Sequence, residues 1–337
     1  MTASSPSMDW ATRAIEAWRA LRTACIRESE VLEVLEGPGA RRAPVWPMSQ
    51  VIAAATGVGF VTGDLTDARA LVRALAPYRR GEGYAPLPGH RRRYYDDNAW
   101  LGLDLVQHHL LTAEPDQLRE ARDLWVFVGS GQDDDGGVRW AEGRRSRNAC
   151  ATGPSASLAL RLYLLSADAD LLARARRALR WLEVTLRLPS GLIADHEDRG
   201  RLDETVWSYN QGAAAGAWAL LHRATGGSDP LGTAHTLATA SLAHFTAERL
   251  WVHPPVFNAI WFRNLLALDA LAPLPGLAAR LDGYLTRAWT HGRDPDTGLF
   301  TAGGIGSYDG TPTIDHAGLT QLLALRAWPT DRAPDIA

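Results

Sequence analysis

The chain is 337 residues long and 46% hydrophobic, enough to bury a large core and too apolar for disorder. Its formal net charge of -3 is spread along the whole length, with no basic stripe for nucleic acid and no polybasic tail for a membrane, so the expected partner is a small molecule or a neutral polymer. All 35 cationic side chains are arginine, which excludes Schiff-base and P-loop chemistry that needs a lysine.

In chain order, "MTASSPSMDWATRAIEAWRAL" enters an amphipathic helix predicted over 8–32. It has neither the basic n-region nor the apolar h-region of a signal peptide, and no apolar run reads as long enough to span a bilayer, so the expected location is cytoplasmic. Spacing of three and four predicts further helices over 46–56, 65–76, 96–112, 116–129 and 147–165. The second half continues with 168–187, 206–225, 231–249, 257–272, 275–291 and 314–327. Cys25 and Cys150 fall inside helical patterns without a close CxxC spacing, and read as buried, reduced packing residues rather than zinc ligands or a disulfide.

Strict alternation over six residues is hard to find, so the class is all-α. About twelve helices form roughly six consecutive hairpins, with short connections such as "SADADLL", where Ser166 or Asp168 can cap the following helix. Short connections favour antiparallel neighbours. The expectation is one domain over 1–337, a closed toroid of inner and outer helices, the (α/α)6 barrel. No close repeat recommends a solenoid.

Four loops are long for such a scaffold and are candidate site builders: "APYRRGEGYAPLPGHRRRYY", "SGQDDDGGVRWAEGRRSR", "RLPSGLIADHEDRGRLDETVW" and "HGRDPDTGLFTAGGIGSYDGTPTID". The first leads into Asp96-Asp97, which reads as a helix cap, a metal site, or the acid and base of an active site. Capping does not account for the flanking Tyr94, Tyr95, Asn98 and Trp100, whereas a sugar ring stacks on aromatics while its hydroxyls need planar polar partners. Trp100, Trp140 and Trp207, out of thirteen tryptophans, sit beside polar loops or helix starts and are candidate cleft walls. In the second loop Asp133 to Asp135 lack calcium-loop spacing and read as a solvated turn. Gly136 and Gly137 permit close backbone approach, and Asn148 follows at a helix mouth. Tyr209, Asn210 and Gln211 open an Ala-rich helix, as a cap network or as ligand contacts, while the Ala and Gly residues at 212–217 predict close helix packing. Asn258 and Asp315 repeat the pattern of a polar group at a helix entry. No GxSxG elbow or HExxH spacing is present, and no metal or cofactor is called for.

Taken together, "YYDDNAW", "GGVRW" followed by "RNA", "WSYNQG", "FNAIWFRNL" and "IDHAG" resemble, in order, segments of glycoside hydrolase family 76 over roughly residues 45 to 327. Arg139 stands where that family often has a bulky apolar or aromatic residue. The resemblance implies an (α/α)6 barrel and endo-α-1,6-mannanase-like or transglycosylating activity, by a retaining mechanism with Asp96 as nucleophile and Asp97 as general acid/base. Water then completes the reaction without a cofactor, on a carbohydrate or glycosylated small molecule. Three rival readings remain. One is a terpene cyclase, since "DDNAW" and "QDDDGGVRW" are similar to its motifs although DDxxD is incomplete and the second stretch occurs once rather than repeatedly. Another is a sugar isomerase, which would gather histidines at helix entries. The third is a noncatalytic carbohydrate-binding barrel.

Overall fold

The computed structural model describes residues 9–301, 312–329 and 332. The first half runs α1 (Trp10–Cys25), α2 (Val45–Thr62), α3 (Thr66–Arg73), α4 (Tyr95–Thr112), α5 (Pro115–Ser130) and α6 (Ala149–Ser166). It continues with α7 (Ala169–Trp181), extended by a π-helical turn Leu182–Leu186, then α8 (Ser208–Thr225), α9 (Ser228–His244), α10 (Ala247–Val252), α11 (Pro255–Asp269), α12 (Leu277–His291) and α13 (Pro312–Ala327). Two kinds of helix alternate. Those such as α1 bury one stripe, Ala14, Ala17, Trp18, Leu21 and Cys25, at spacings of three and four, and leave the other face to water. Those such as α2 and α6 bury nearly every position. A helix apolar all round must be enclosed, and α2, α4, α6, α8, α11 and α13 form an inner ring.

Each inner helix packs on the next, and α13 returns to α2, so the ring closes. The one-sided helices α1, α3, α5, α7, α9 and α12 cover it from outside, completing the (α/α)6 barrel expected from the hairpin count. Small residues let the inner backbones approach. A Cβ on Gly212 of α8 would lie 2.5 Å from the Trp261 Cα of α11, and one on Gly318 of α13 would lie 2.9 Å from the Val256 Cα. The close packing expected at 212–217 is therefore present. At the α6–α7 connection the Asp168 carboxylate accepts from Asp170 N at 2.9 Å, the cap anticipated there.

Several boundaries differ. The helix expected over 8–32 stops at Cys25, because Ile26–Arg27 pairs with Glu33–Val34 as an antiparallel hairpin and Leu35 N donates to the Cys25 carbonyl. Residue 8 itself lies outside the described residues. The helix expected to end at 56 runs to Thr62, since Gly57 is not a breaker but a packing residue against Ala324 of α13. This longer α2 also corrects the bilayer reading. It is long and apolar enough on composition to cross a membrane, yet it is an inner barrel helix with 78% of its span buried. The segment expected as one helix over 231–249 breaks after His244, and Thr246 caps α10. Short strands at Arg147–Asn148, His196–Asp198 and Arg201–Asp203 pair into a sheet at one end of the barrel. Alternation is invisible in strands this brief.

Candidate active site

The amino ends of α2, α4, α6, α8 and α11 meet at one end of the barrel around a cleft of about 760 Å³. The positive ends of their dipoles favour ionised carboxylates there. Asp96 and Asp97 lie in the first turn of α4, partly exposed at the cleft and otherwise enclosed by protein. The Asp96 Oδ2 accepts from Trp140 Nε1 at 3.0 Å and from Cys150 Sγ at 3.5 Å, and Oδ1 accepts from Asp97 N at 3.0 Å. Exclusion from bulk water pushes the Asp96 carboxyl up to about 6, opposed by those hydrogen bonds. The Asp97 carboxyl is raised well above its ordinary value, first by burial and then by the neighbouring Asp96 charge. The pair is thus arranged for one ionised and one protonated carboxyl. The capping reading survives in one detail, since Asp96 takes a free backbone N–H of the first turn.

The loop carrying Trp140 is docked onto this helix start: Tyr95 N donates to the Trp140 carbonyl at 2.9 Å, and the Tyr94 and Trp140 rings meet edge to face at 5.1 Å. Arg139, next in the chain, turns the other way and donates to the Ser130 carbonyl at 3.0 Å, so its charge does not line the cleft. Gly136 of the same loop has φ of 109°, and a Cβ there would lie 2.3 Å from the Arg177 carbonyl oxygen. Opposite stands an aromatic wall in which Phe257 meets Tyr209 at 4.0 Å, Trp207 at 5.5 Å and Trp46 at 6.1 Å. Of the candidates, Tyr94, Trp100, Trp140, Asn148, Trp207 and Tyr209 line the cleft with the two aspartates. Asn210 stands just behind it, donating Nδ2 to Asp195 Oδ1 at 3.1 Å.

Six candidates do other work. Asn98 pairs with both the N–H and the carbonyl of Tyr84, at 2.7 and 3.0 Å, and Gln211 does the same for Ile193, at 2.8 Å each. Each amide completes a backbone pairing that the loop cannot make for itself, which is why both are buried. Asn258 accepts from Ser208 Oγ at 3.0 Å and donates to the Leu250 carbonyl at 2.8 Å, a buried tie between inner helices and α10. Tyr95 stacks on Phe127 at 4.7 Å, away from the cleft. Gly137 is packed against the Trp181 ring, where a Cβ would lie 2.6 Å from Cε2. Asp315 accepts from Val256 N at 3.4 Å and is buried between α13 and α11.

Sequence reading missed Asp195, His196, Asp198, Trp46 and Phe257, all lining the cleft, and took Cys150 for packing alone. The run "ADHED" inside an already suspicious loop was the available signal; only the sheet that pairs Asn148 with His196 brings it beside Asp96. Asp195 Oδ2 lies 2.8 Å from His196 Nδ1, and with Asp203 these residues bring ligand-type atoms within 4.8 Å of one another. Among the described residues that is the grouping with the spacing to hold a cation. Cys150 sits between Asp96 and Asp195, and burial followed by those two charges keeps its thiol protonated, well above the usual range.

A sequence model described as glycosyl hydrolase family 76 matches residues 27–274. The fold is similar to the family 76 mannosidase Bt3792 from Bacteroides thetaiotaomicron VPI-5482, at 21% identity and a TM-score of 0.80 over 95% of this chain and 98% of that one. It is similar also to the α-1,6-mannanase GH76A of Salegentibacter sp. HEL1_6, at 23% identity and 0.78 over 94% and 98%. An inactive variant of the latter, with two aspartates replaced by asparagine, forms a complex with α-1,6-mannotriose (22% identity, TM-score 0.77, over 94% and 99%). A search of curated protein sequences matched none.

Proposed function

Because the chain belongs to glycosyl hydrolase family 76, we propose that it cleaves or transfers α-linked mannosides by double displacement, with Asp96 as nucleophile and Asp97 as acid/base. The observation that carries this reading is the unequal pair. Asp96 is held by two side-chain donors and a backbone N–H, while Asp97 keeps its proton to higher pH beside it. In the first step an Asp96 oxygen bonds to the anomeric carbon as the glycosidic C–O bond breaks, and Asp97 gives its proton to the leaving oxygen. In the second, Asp97 takes a proton from water or an acceptor hydroxyl, whose oxygen displaces the Asp96 carboxylate. The aromatic wall of Trp46, Trp207, Tyr209 and Phe257 supplies ring faces for the sugar. The Salegentibacter enzyme, with its mannotriose complex and its inactivating pair of aspartate replacements, supports the substrate class.

Asp96→Asn and Asp97→Asn should each abolish release of reducing ends from α-1,6-mannooligosaccharides while leaving the circular dichroism spectrum unchanged. NMR of the first product formed by the unmodified chain should show the α anomer. Hydrolysis at the unmodified rate by both variants, or a first product with inverted configuration, would remove the assignment.

A further inference from the structure

Beneath the cleft the barrel interior is polar. Arg263 of α11, only 3% exposed, places its guanidinium carbon 5.5 Å from the centroid of the Trp100 ring. Trp100 is one turn past Asp96 on α4, and Asp104, 5% exposed, is one turn further on the same helix. The indole is a partition. On one side it lines the cleft; on the other it borders an internal cavity of about 20 Å³ that Arg263 also lines. A second cavity of the same size lies between Arg263, Asp104, Thr56 and Gln321. Each has room for about one water, and the atoms around them need one: Arg263 Nε, Asp104 Oδ2, Thr56 Oγ1 and Gln321 Oε1 are buried without a partner among the described residues.

A guanidinium in the middle of a helical barrel is expensive, and an apolar side chain of similar volume usually packs there at no loss of stability. Burial drives Arg263 toward losing its charge, which Asp104 opposes, while the same burial pushes the Asp104 carboxyl well above its ordinary value against the pull of Arg263. The cost has a local return. Trp100 lines the cleft together with the reacting carboxylates on its own helix and with Phe257, six residues ahead of Arg263 on α11. A cation beneath the ring attracts it by its face and leaves the cleft above open.

We propose that Arg263, with Asp104 facing it across the second cavity, is a positioning residue for the reaction, fixing the Trp100 indole at the base of the cleft beside Asp96 and Asp97. The proposal depends on reading the cleft as a glycoside site. Its effect is on sugar binding, and it reaches the chemistry through Trp100 alone.

The test uses the full chain labelled with 5-fluorotryptophan, with the Trp100 resonance assigned by Trp100→Phe. Arg263→Met should move or broaden that resonance and lower kcat/KM for α-1,6-mannotriose about tenfold, inside the range that a cation–π contact spans from exposed to desolvated. The loss should fall mainly on KM, with the pH profile unchanged. Arg263→Lys should restore part of both, and Asp104→Asn should shift the resonance in the same direction as Arg263→Met. Should the methionine variant not fold, the lysine and asparagine variants carry the same comparison. A Trp100 resonance that stays in place across the series, or one that moves with KM unaltered, overturns the proposal. If the unmodified chain does not act on α-1,6-mannosides the functional reading fails instead, and the fluorine signal by itself decides whether Arg263 holds the ring.

Discussion

Gly212 sits in the helix that carries Tyr209 and Asn210, at the seam where α8 meets α11. Replacing it with alanine sets two effects of known size against each other. In isolation the change favours a helix interior by about 0.8–1.0 kcal/mol. Here the added Cβ would lie 2.5 Å from the Trp261 Cα, 3.1 Å from the Trp261 oxygen and 3.2 Å from the Ile260 oxygen. Ordinary carbon contacts begin near 3.5 Å, so the two helices must part by about 1 Å, and every obstructing atom is backbone that no rotamer change can move. Overpacking of this kind costs roughly 1–3 kcal/mol, and the rigid obstacle puts Gly212 toward the upper end, for a net loss of about 2 kcal/mol. Gly232 in α9 is the control, since a Cβ there meets nothing within 4 Å and Gly232→Ala should gain about the full propensity term. Urea denaturation of both variants measures the contrast directly. Because α11 also carries Phe257, Gly212→Ala should in addition weaken activity on α-1,6-mannooligosaccharides. A Gly212→Ala protein as stable as Gly232→Ala would refute the claim that backbone contact sets this seam.

Three other outcomes are expected. The pH dependence of kcat/KM should be bell-shaped with its acid limb near pH 6, because Asp96 must be ionised, and its alkaline limb should report loss of the Asp97 proton; the two values belong to the coupled pair. An acid limb near 4 would contradict the enclosure of Asp96. Cys150→Ala removes a donor that lowers the Asp96 pKa, so the acid limb should move to higher pH, and Cys150→Ser should leave it close to its original position. His316 is buried neutral, with Nδ1 accepting from Phe300 N at 2.9 Å and Nε2 donating to the Ala17 carbonyl at 2.8 Å, and burial pulls its pKa down to about 4. Its folded value is depressed below an unfolded value near 6.5, so its contribution is whole above that pH and is lost as pH falls from there toward 4. The loss amounts to about 3 kcal/mol. His316→Gln, which can keep both hydrogen bonds, should flatten the fall in unfolding free energy between pH 6.5 and 4, and an unchanged slope would show that His316 does not titrate there.

The sequence by itself determined the all-α class, the hairpin succession behind the expected inner and outer helices, and the catalytic candidates, because all three are local. Spacings of three and four mark a helix face, and the aromatic frame around Asp96-Asp97 is contiguous in the chain. Hairpin count and short connections were enough to expect the closed ring. What only the tertiary structure decided was which polar residue faces a ligand and which completes the fold. Asn98, Gln211 and Asn258 look like Asn148 and Asn210 in the sequence, each a planar amide near a helix entry. Three of them satisfy backbone or neighbouring side chains inside the wall, while Asn148 lines the cleft and Asn210 braces Asp195 behind it. The difference lies in where the partner loop passes, and that is set by contacts up to fifty residues distant in sequence. For the same reason Asp195 and the thiol of Cys150 join Asp96 only once α6, α8 and the small sheet are assembled. Arg263 is the extreme case. Nothing in "FNAIWFRNL" tells a surface arginine from one buried under a tryptophan, because burial depends on ring closure by helices that the motif does not contain.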